Sequence, residues 1–163
     1  MAIKISDLSV GDWVYHDDIV FGREIAKVHR LNNDENSETI GIKVYRSDGA
    51  FGVVGYIWTS PTQGDLHPIP ITAEVLEKNG WSSDGMYATL RIDEHRHLEY
   101  YFHEHRLRKY YCGVDEWQNH AKVNDITFAV HCYSVHQLQH ALRLAGVDKE
   151  INLLVKCHGN GLH

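Results

Sequence analysis

Residues 86–112 read MYATLRIDEHRHLEYYFHEHRLRKYYC, and this stretch decides the fold. Tyr100, Tyr101, Phe102, Tyr110 and Tyr111 favour a pleated surface, and the polar groups between the apolar runs favour turns. With Phe128 further on, the pattern predicts an antiparallel meander from Met86 to Tyr133. Its strands are expected at Tyr87–Ile92, His97–Phe102, Leu107–Cys112 and Ile126–Tyr133. Turns are expected near Asp93–Arg96, His103–Arg106 and Gly113–Asn124. C-terminal to the meander, Ser134 is placed to cap a helix over Val135–Leu144. Val135, Leu138, Ala141, Leu142 and Ala145 form one apolar stripe at helical spacing, and Gly146 supplies the stop. His136, His140 and Arg143 share another face. The tail, residues 157–163, is Gly-rich and expected to be loose.

N-terminal to the meander, Asn79-Gly80 ends a short helix over Ala73–Lys78 that Thr72 caps. All three prolines lie between Pro61 and Pro70, a connector that cannot continue a central strand. Before it, strands are expected at Trp13–Tyr15, around Gly22–Leu31, at Ile40–Tyr45 and at Phe51–Trp58. Ile40, Ile42 and Val44 share one face. Asn32–Thr39 is expected as an exposed loop, and Ser47-Asp48-Gly49 as a hairpin turn. Strands this short at this spacing predict an SH3-like small β-barrel. The expected class is α+β: an N-terminal SH3-like barrel, a short helix, an antiparallel β-meander and a C-terminal helix packed on the sheet. Residues 1–70 and 71–156 are expected to form one compact unit.

The 163 residues carry 16 basic and 22 acidic side chains, a net charge of −6, which argues against a general nucleic-acid coat. No stretch is long and apolar enough for a membrane span. Met1–Asp7 lacks an apolar signal core, so a cytoplasmic protein without membrane contact is expected. Cys112, Cys132 and Cys157 are odd in number and lack paired spacing, against a disulfide framework or a CxxC zinc site. The expectation is two buried thiols and one exposed thiol near the tail.

Thirteen histidines are the outlier in the composition. His95-Arg96-His97 and His103-Glu104-His105 have a spacing that chelates zinc on a strand, but the expected turns separate the two pairs by a strand of about 20 Å. His136 and His140 have the spacing of a zincin pair, yet Gln137 stands where the catalytic Glu would be. No metal and no cofactor are therefore expected. Phosphate-loop, dinucleotide and nucleophile-elbow patterns are absent.

Arg91–Tyr111 interleaves Arg91, Arg96, Arg106, Arg108 and Lys109 with five aromatics and four histidines. Aromatics stack on nucleobases, and Arg pairs with phosphate. Asp93, Glu94, Glu99 and Glu104 dilute the charge, which suits a small anionic ligand better than a long nucleic acid. The ordinary alternative is a sheet with an aromatic core and a charged outer face. The ligand-binding candidates are Tyr101, His103, His105, Arg106 and Arg108, with Trp81 as a stacking lid beside the helix end. A homo-oligomer is expected, because pairing two copies deepens a pocket and covers a sheet edge.

Three ordered segments carry a resemblance. Leu8–Val14 resembles an "LxxGNxV" opening, residues 68–81 (PIPITAEVLEKNGW) resemble "PIPLTEExLxKxGF", and residues 135–139 (VHQLQ) resemble "YVHQLQN". Together they resemble a family of small uncharacterised proteins of Bacteroides-type bacteria, their prophages and phages. Ser134 and His140 depart from that pattern. The resemblance implies a phage or mobile-element origin and a cytoplasmic location, and transfers no catalytic residue. The expected function is non-catalytic binding, in its most concrete form the sequestration of a nucleotide signal of host immunity. The alternatives are a protein-binding adaptor or inhibitor that uses a sheet edge, and a metal-independent nucleotide hydrolase or phosphodiesterase.

Overall fold

The computed structural model describes residues 3–34, 37–46, 52–59, 64–113 and 123–154; for 33–34, 37–38, 46, 52–56, 112–113 and 123–125 it describes the backbone alone. The Ser47–Gly49 turn, most of the 113–124 turn, the Cys112 and Cys157 thiols and the 157–163 tail lie outside the described residues. The fold is α+β and mostly β, with two antiparallel sheets and two α-helices among the described residues. The chain divides into two compact units, residues 1–70 with 134–136, and residues 71–133 with 137–163. No helix among the described residues is long and apolar enough to cross a membrane.

The first unit holds β1 (Trp13–Asp18), β2 (Gly22–Asp34), β3 (Ser37–Arg46), β4 (Gly52–Thr59) and β5 (Leu66–Pro68), in the order β4-β3-β2-β1-β5. The expected SH3-like barrel is corrected here: the sheet is open. Closure would require the two end strands to pair, whereas among the described residues β5 pairs with Val14–His16 of β1 alone. It is three residues long and ends on Pro68, which has no N–H to extend a ladder. The expected Asn32–Thr39 loop is corrected too. Asn32↔Thr39, Asn33↔Glu38 and Asp34↔Ser37 continue the β2–β3 ladder, because backbone pairing at a hairpin end does not require apolar side chains. Ile40, Ile42 and Val44 are buried as the alternation predicts, with Val14, Ala26, Val28 and Leu66.

In the second unit α1 (Ala73–Lys78) starts where Thr72 Oγ1 accepts the Val75 N–H at 3.2 Å. It ends at Asn79-Gly80, with Gly80 at φ +81°. The second sheet follows: β6 (Ser82–Ser83), β7 (Tyr87–Arg91), β8 (Arg96–Tyr101), β9 (Arg106–Gly113) and β10 (Val123–His131), ordered β10-β9-β8-β7-β6. The strands of the predicted meander are therefore present, with β6 added at the edge. The inner face carries Ala88, Leu90, Leu98, Tyr100 and Leu107, all buried. Helix α2 (Val135–Leu144) buries Leu138, Ala141 and Leu142. Gly146, at φ +69°, stops it, and Lys109 Nζ donates to the Ala145 carbonyl at 2.5 Å, tying β9 to the chain just beyond the helix.

Candidate ligand-binding face of the second sheet

Directly opposed residues of antiparallel strands project from the same face. The register sets out three outward rows across β7, β8, β9 and β10. The first is Tyr87, Tyr101, Arg106 and His131; the second is Thr89, Glu99, Arg108 and Ala129; the third is Arg91, His97, Tyr110 and Ile126. Arg, His and Tyr thus share a surface because strand alternation sends their apolar neighbours Leu98, Tyr100 and Leu107 inward.

The middle of this face is satisfied from within. The Tyr101 hydroxyl donates to the Glu99 carboxylate and lies 3.2 Å from the Tyr110 hydroxyl. Burial, and then the bond to Glu99, push the Tyr101 phenol above its ordinary range, so it stays a donor. His97 Nε2 lies 3.3 Å from Glu99 Oε1, and its ring stacks on Tyr110 with centroids 5.0 Å apart. The Arg108 guanidinium sits over the Tyr101 ring, 4.3 Å from its centroid, and its Nη2 bonds Glu104 at 2.6 Å.

The end of the face at the β8–β9 turn is different. His103 and His105 are exposed, and His105 adopts φ +49°, the left-handed conformation that reverses the chain into β9. Tyr133 is 61% exposed. Its ring lies 5.2 Å from that of His105 and 6.2 Å from that of His131, nearly parallel to the latter. His131 Nδ1 is 3.2 Å from the Glu104 carbonyl oxygen. A carbonyl only accepts, so this bond places the hydrogen on Nδ1. Arg106 is half-buried, has no ion pair among the described residues, and its Nε is buried without a hydrogen-bond partner. Underneath, the Tyr100 hydroxyl donates to the Cys132 carbonyl at 2.8 Å, and the Cys132 N–H donates to the His105 carbonyl at 2.8 Å.

Of the predicted residues, Tyr101, His103, His105, Arg106 and Arg108 gather on and around this end of β8 and β9. Trp81 does not present a lid: it is 4% exposed, because the turn at Gly80 folds its backbone N–H onto the Leu76 carbonyl at 3.1 Å. Tyr101 offers little ring for stacking, since Arg108 covers one face. Sequence reasoning missed His131 and Tyr133, which reach the site only through the β9–β10 register. Their signal was the pair of ring side chains at 131 and 133 just before the helix cap. Cys132 between them is buried, and desolvation raises its thiol to about 12, so it is no nucleophile at neutral pH. His136 is buried with Nδ1 3.1 Å from the Ser134 hydroxyl, while His140 is half-buried. No protein-family profile, curated protein or solved structure matches the chain.

Proposed function

We propose that the protein binds a small phosphate-bearing ligand, of the nucleotide class, at the His105–Arg106–His131–Tyr133 end of the second sheet, and releases it unchanged. The observation that carries the reading is Arg106. Its guanidinium has no ion pair among the described residues, and it stands in one row with Tyr101 and His131, beside an exposed tyrosine. Guanidinium and imidazolium donors match phosphate oxygens, and the ring of Tyr133 offers a stacking surface for a base. A phage or mobile-element setting, which the sequence resemblance implies, gives such a binder a use in sequestering a nucleotide signal of host immunity in the cytoplasm. A second copy of the chain, paired along a sheet edge, would deepen a shallow site of this kind.

Calorimetry against cyclic dinucleotides, cyclic mononucleotides and ADP-ribose tests the reading, with the ligand recovered afterwards for analysis. Binding with unchanged ligand is expected. Arg106→Ala should cost about 1.5–3 kcal/mol of affinity, the worth of a charge-assisted bond. Arg108→Ala should cost less, because Arg108 is committed to Glu104 and Tyr101. A new product would establish a hydrolase instead. Absence of any binding would overturn the proposal and leave a protein partner at a sheet edge as the reading.

A further inference from the structure

The first sheet departs from its own alternation at one place. Val14, Ala26 and Val28 point into the core, and the same inward positions one step nearer the β1–β2 turn hold His16 and Glu24, directly opposed and buried at 6% and 7% exposure. Asp18, two residues beyond His16 on the same side of β1, is half-buried and faces Gly22. An imidazole nitrogen and one oxygen from each carboxylate all lie within 4.8 Å of one another.

Two further observations point to a ligand for this group. His16 Nδ1 is buried and has no hydrogen-bond partner among the described residues, which leaves a polar atom without compensation there. Asp18 is oriented from behind: its Oδ1 accepts the Val20 and Phe21 N–H groups at 2.8 and 3.0 Å. That is the kind of outer support that fixes a ligating carboxylate. Gly22 brings no side chain against Asp18, and nothing lies within 4 Å of where its Cβ would stand.

We propose that His16, Asp18 and Glu24 form a binding site for a first-row divalent cation of the Mn²⁺ or Zn²⁺ kind. Donors about 2.1 Å from a cation sit roughly 3–3.4 Å from one another. The present spacing of up to 4.8 Å would have to close to that, with Glu24 moving toward an Asp18 carboxylate already held by the Val20 and Phe21 N–H groups. One imidazole with two carboxylates suits a borderline ion, whereas Mg²⁺ and Ca²⁺ take oxygen ligands alone. A cation would also neutralise two carboxylates at the end of a hydrophobic core, and bound through Nδ1 it would supply the partner that this nitrogen lacks among the described residues. Three protein ligands leave at least one position for water or a small anion.

Protein without a histidine tag is titrated with Zn²⁺ by calorimetry, and with Mn²⁺ while amide NMR signals are followed. One ion per chain at this site is expected, with Mn²⁺ broadening concentrated on residues 16–25. Glu24→Gln and Asp18→Asn keep side-chain shape and the turn acceptor, so each variant should stay folded by circular dichroism. Each should lose at least about tenfold in affinity and lose the localised broadening. Mg²⁺ should not compete at equal concentration. Broadening spread over the exposed histidines, or affinity unchanged in both variants, would overturn the proposal.

Discussion

Replacing Tyr100 with Phe tests the link that holds the proposed binding end together. Tyr100 and Cys132 are both fully buried, and the phenol donates to the Cys132 carbonyl at 2.8 Å. Burial pushes this phenol above its usual range, so the donor is present at every working pH. In Tyr100→Phe water cannot reach the orphaned carbonyl, and the cost is that of an unsatisfied buried acceptor, about 1–3 kcal/mol. The void of one oxygen, roughly 10–15 Å³, adds only about 0.3 kcal/mol at ~24 cal/mol per Å³. The hydrogen bond therefore dominates. Native-state amide exchange reads the effect where it acts. The Cys132 amide, bonded to the His105 carbonyl at 2.8 Å, should exchange roughly 5–150 times faster, the population change that 1–3 kcal/mol produces. Leu107→Ala, at a fully buried position of the same sheet face, is the control and should cost about 2–5 kcal/mol. If Leu107→Ala behaves so while Tyr100→Phe shifts exchange by less than about twofold, the hydroxyl does not hold the turn. The argument for a preorganised His105 would then fail.

Leu138 on α2 is fully buried, and Leu138→Ala should lower the unfolding free energy by about 2–5 kcal/mol in urea titrations. The Cys132 thiol, raised to about 12 by burial, is thiolate in less than about one molecule in ten thousand at pH 7.5. Mass spectrometry after iodoacetamide should find it unmodified in the native state and labelled in urea. Asp93 is held below the ordinary carboxylate range first by its bond to Arg96, then by the His95 N–H. A depressed folded-state value gives stability that is present above the unfolded value of about 3.9 and is lost as pH falls through the folded one. The drop in urea midpoint between pH 6 and pH 3 should therefore be smaller in Asp93→Asn than in the unmodified protein. An equal drop in both would remove the Asp93–Arg96 turn from the account of acid sensitivity.

The helices and the meander were legible because each announces itself locally. Thr72 and Gly80 bracket α1, the stripe through Leu138 and Leu142 fixes α2, and aromatic runs broken by polar turns fix β7 to β10. The open first sheet was not legible. Short strands at regular spacing serve barrels and open sheets alike, and the difference lies in which strand Leu66–Pro68 joins, a long-range choice no local pattern records. The β2–β3 ladder through Asn32 and Thr39 escaped for a related reason: its polar residues carry turn chemistry, while their backbones still pair. β6, two serines long, carries no propensity signal at all.

The same distinction separates the two sites. Polar and aromatic residues on an outward row, such as Tyr101, Arg106 and His131, are what any solvated sheet face displays, so composition found the neighbourhood and register had to supply the row. Trp81 was misplaced because adjacency to a helix end says nothing about which side of the turn is inward. His16 and Glu24 invert the problem. They occupy positions where alternation demands apolar side chains, and an inward polar residue demands compensation whereas an outward one does not. That departure is the stronger physical signal, yet no spacing motif contains it. His16 and Glu24 become neighbours only once the β1–β2 register is known, and Asp18 joins them only because strand geometry returns it to the same side. Thirteen histidines in the composition point first to the two His-x-His pairs, at and beside the turns that flank β8. The histidine with the most to gain from a ligand is the buried one, whose Nδ1 has no partner among the described residues.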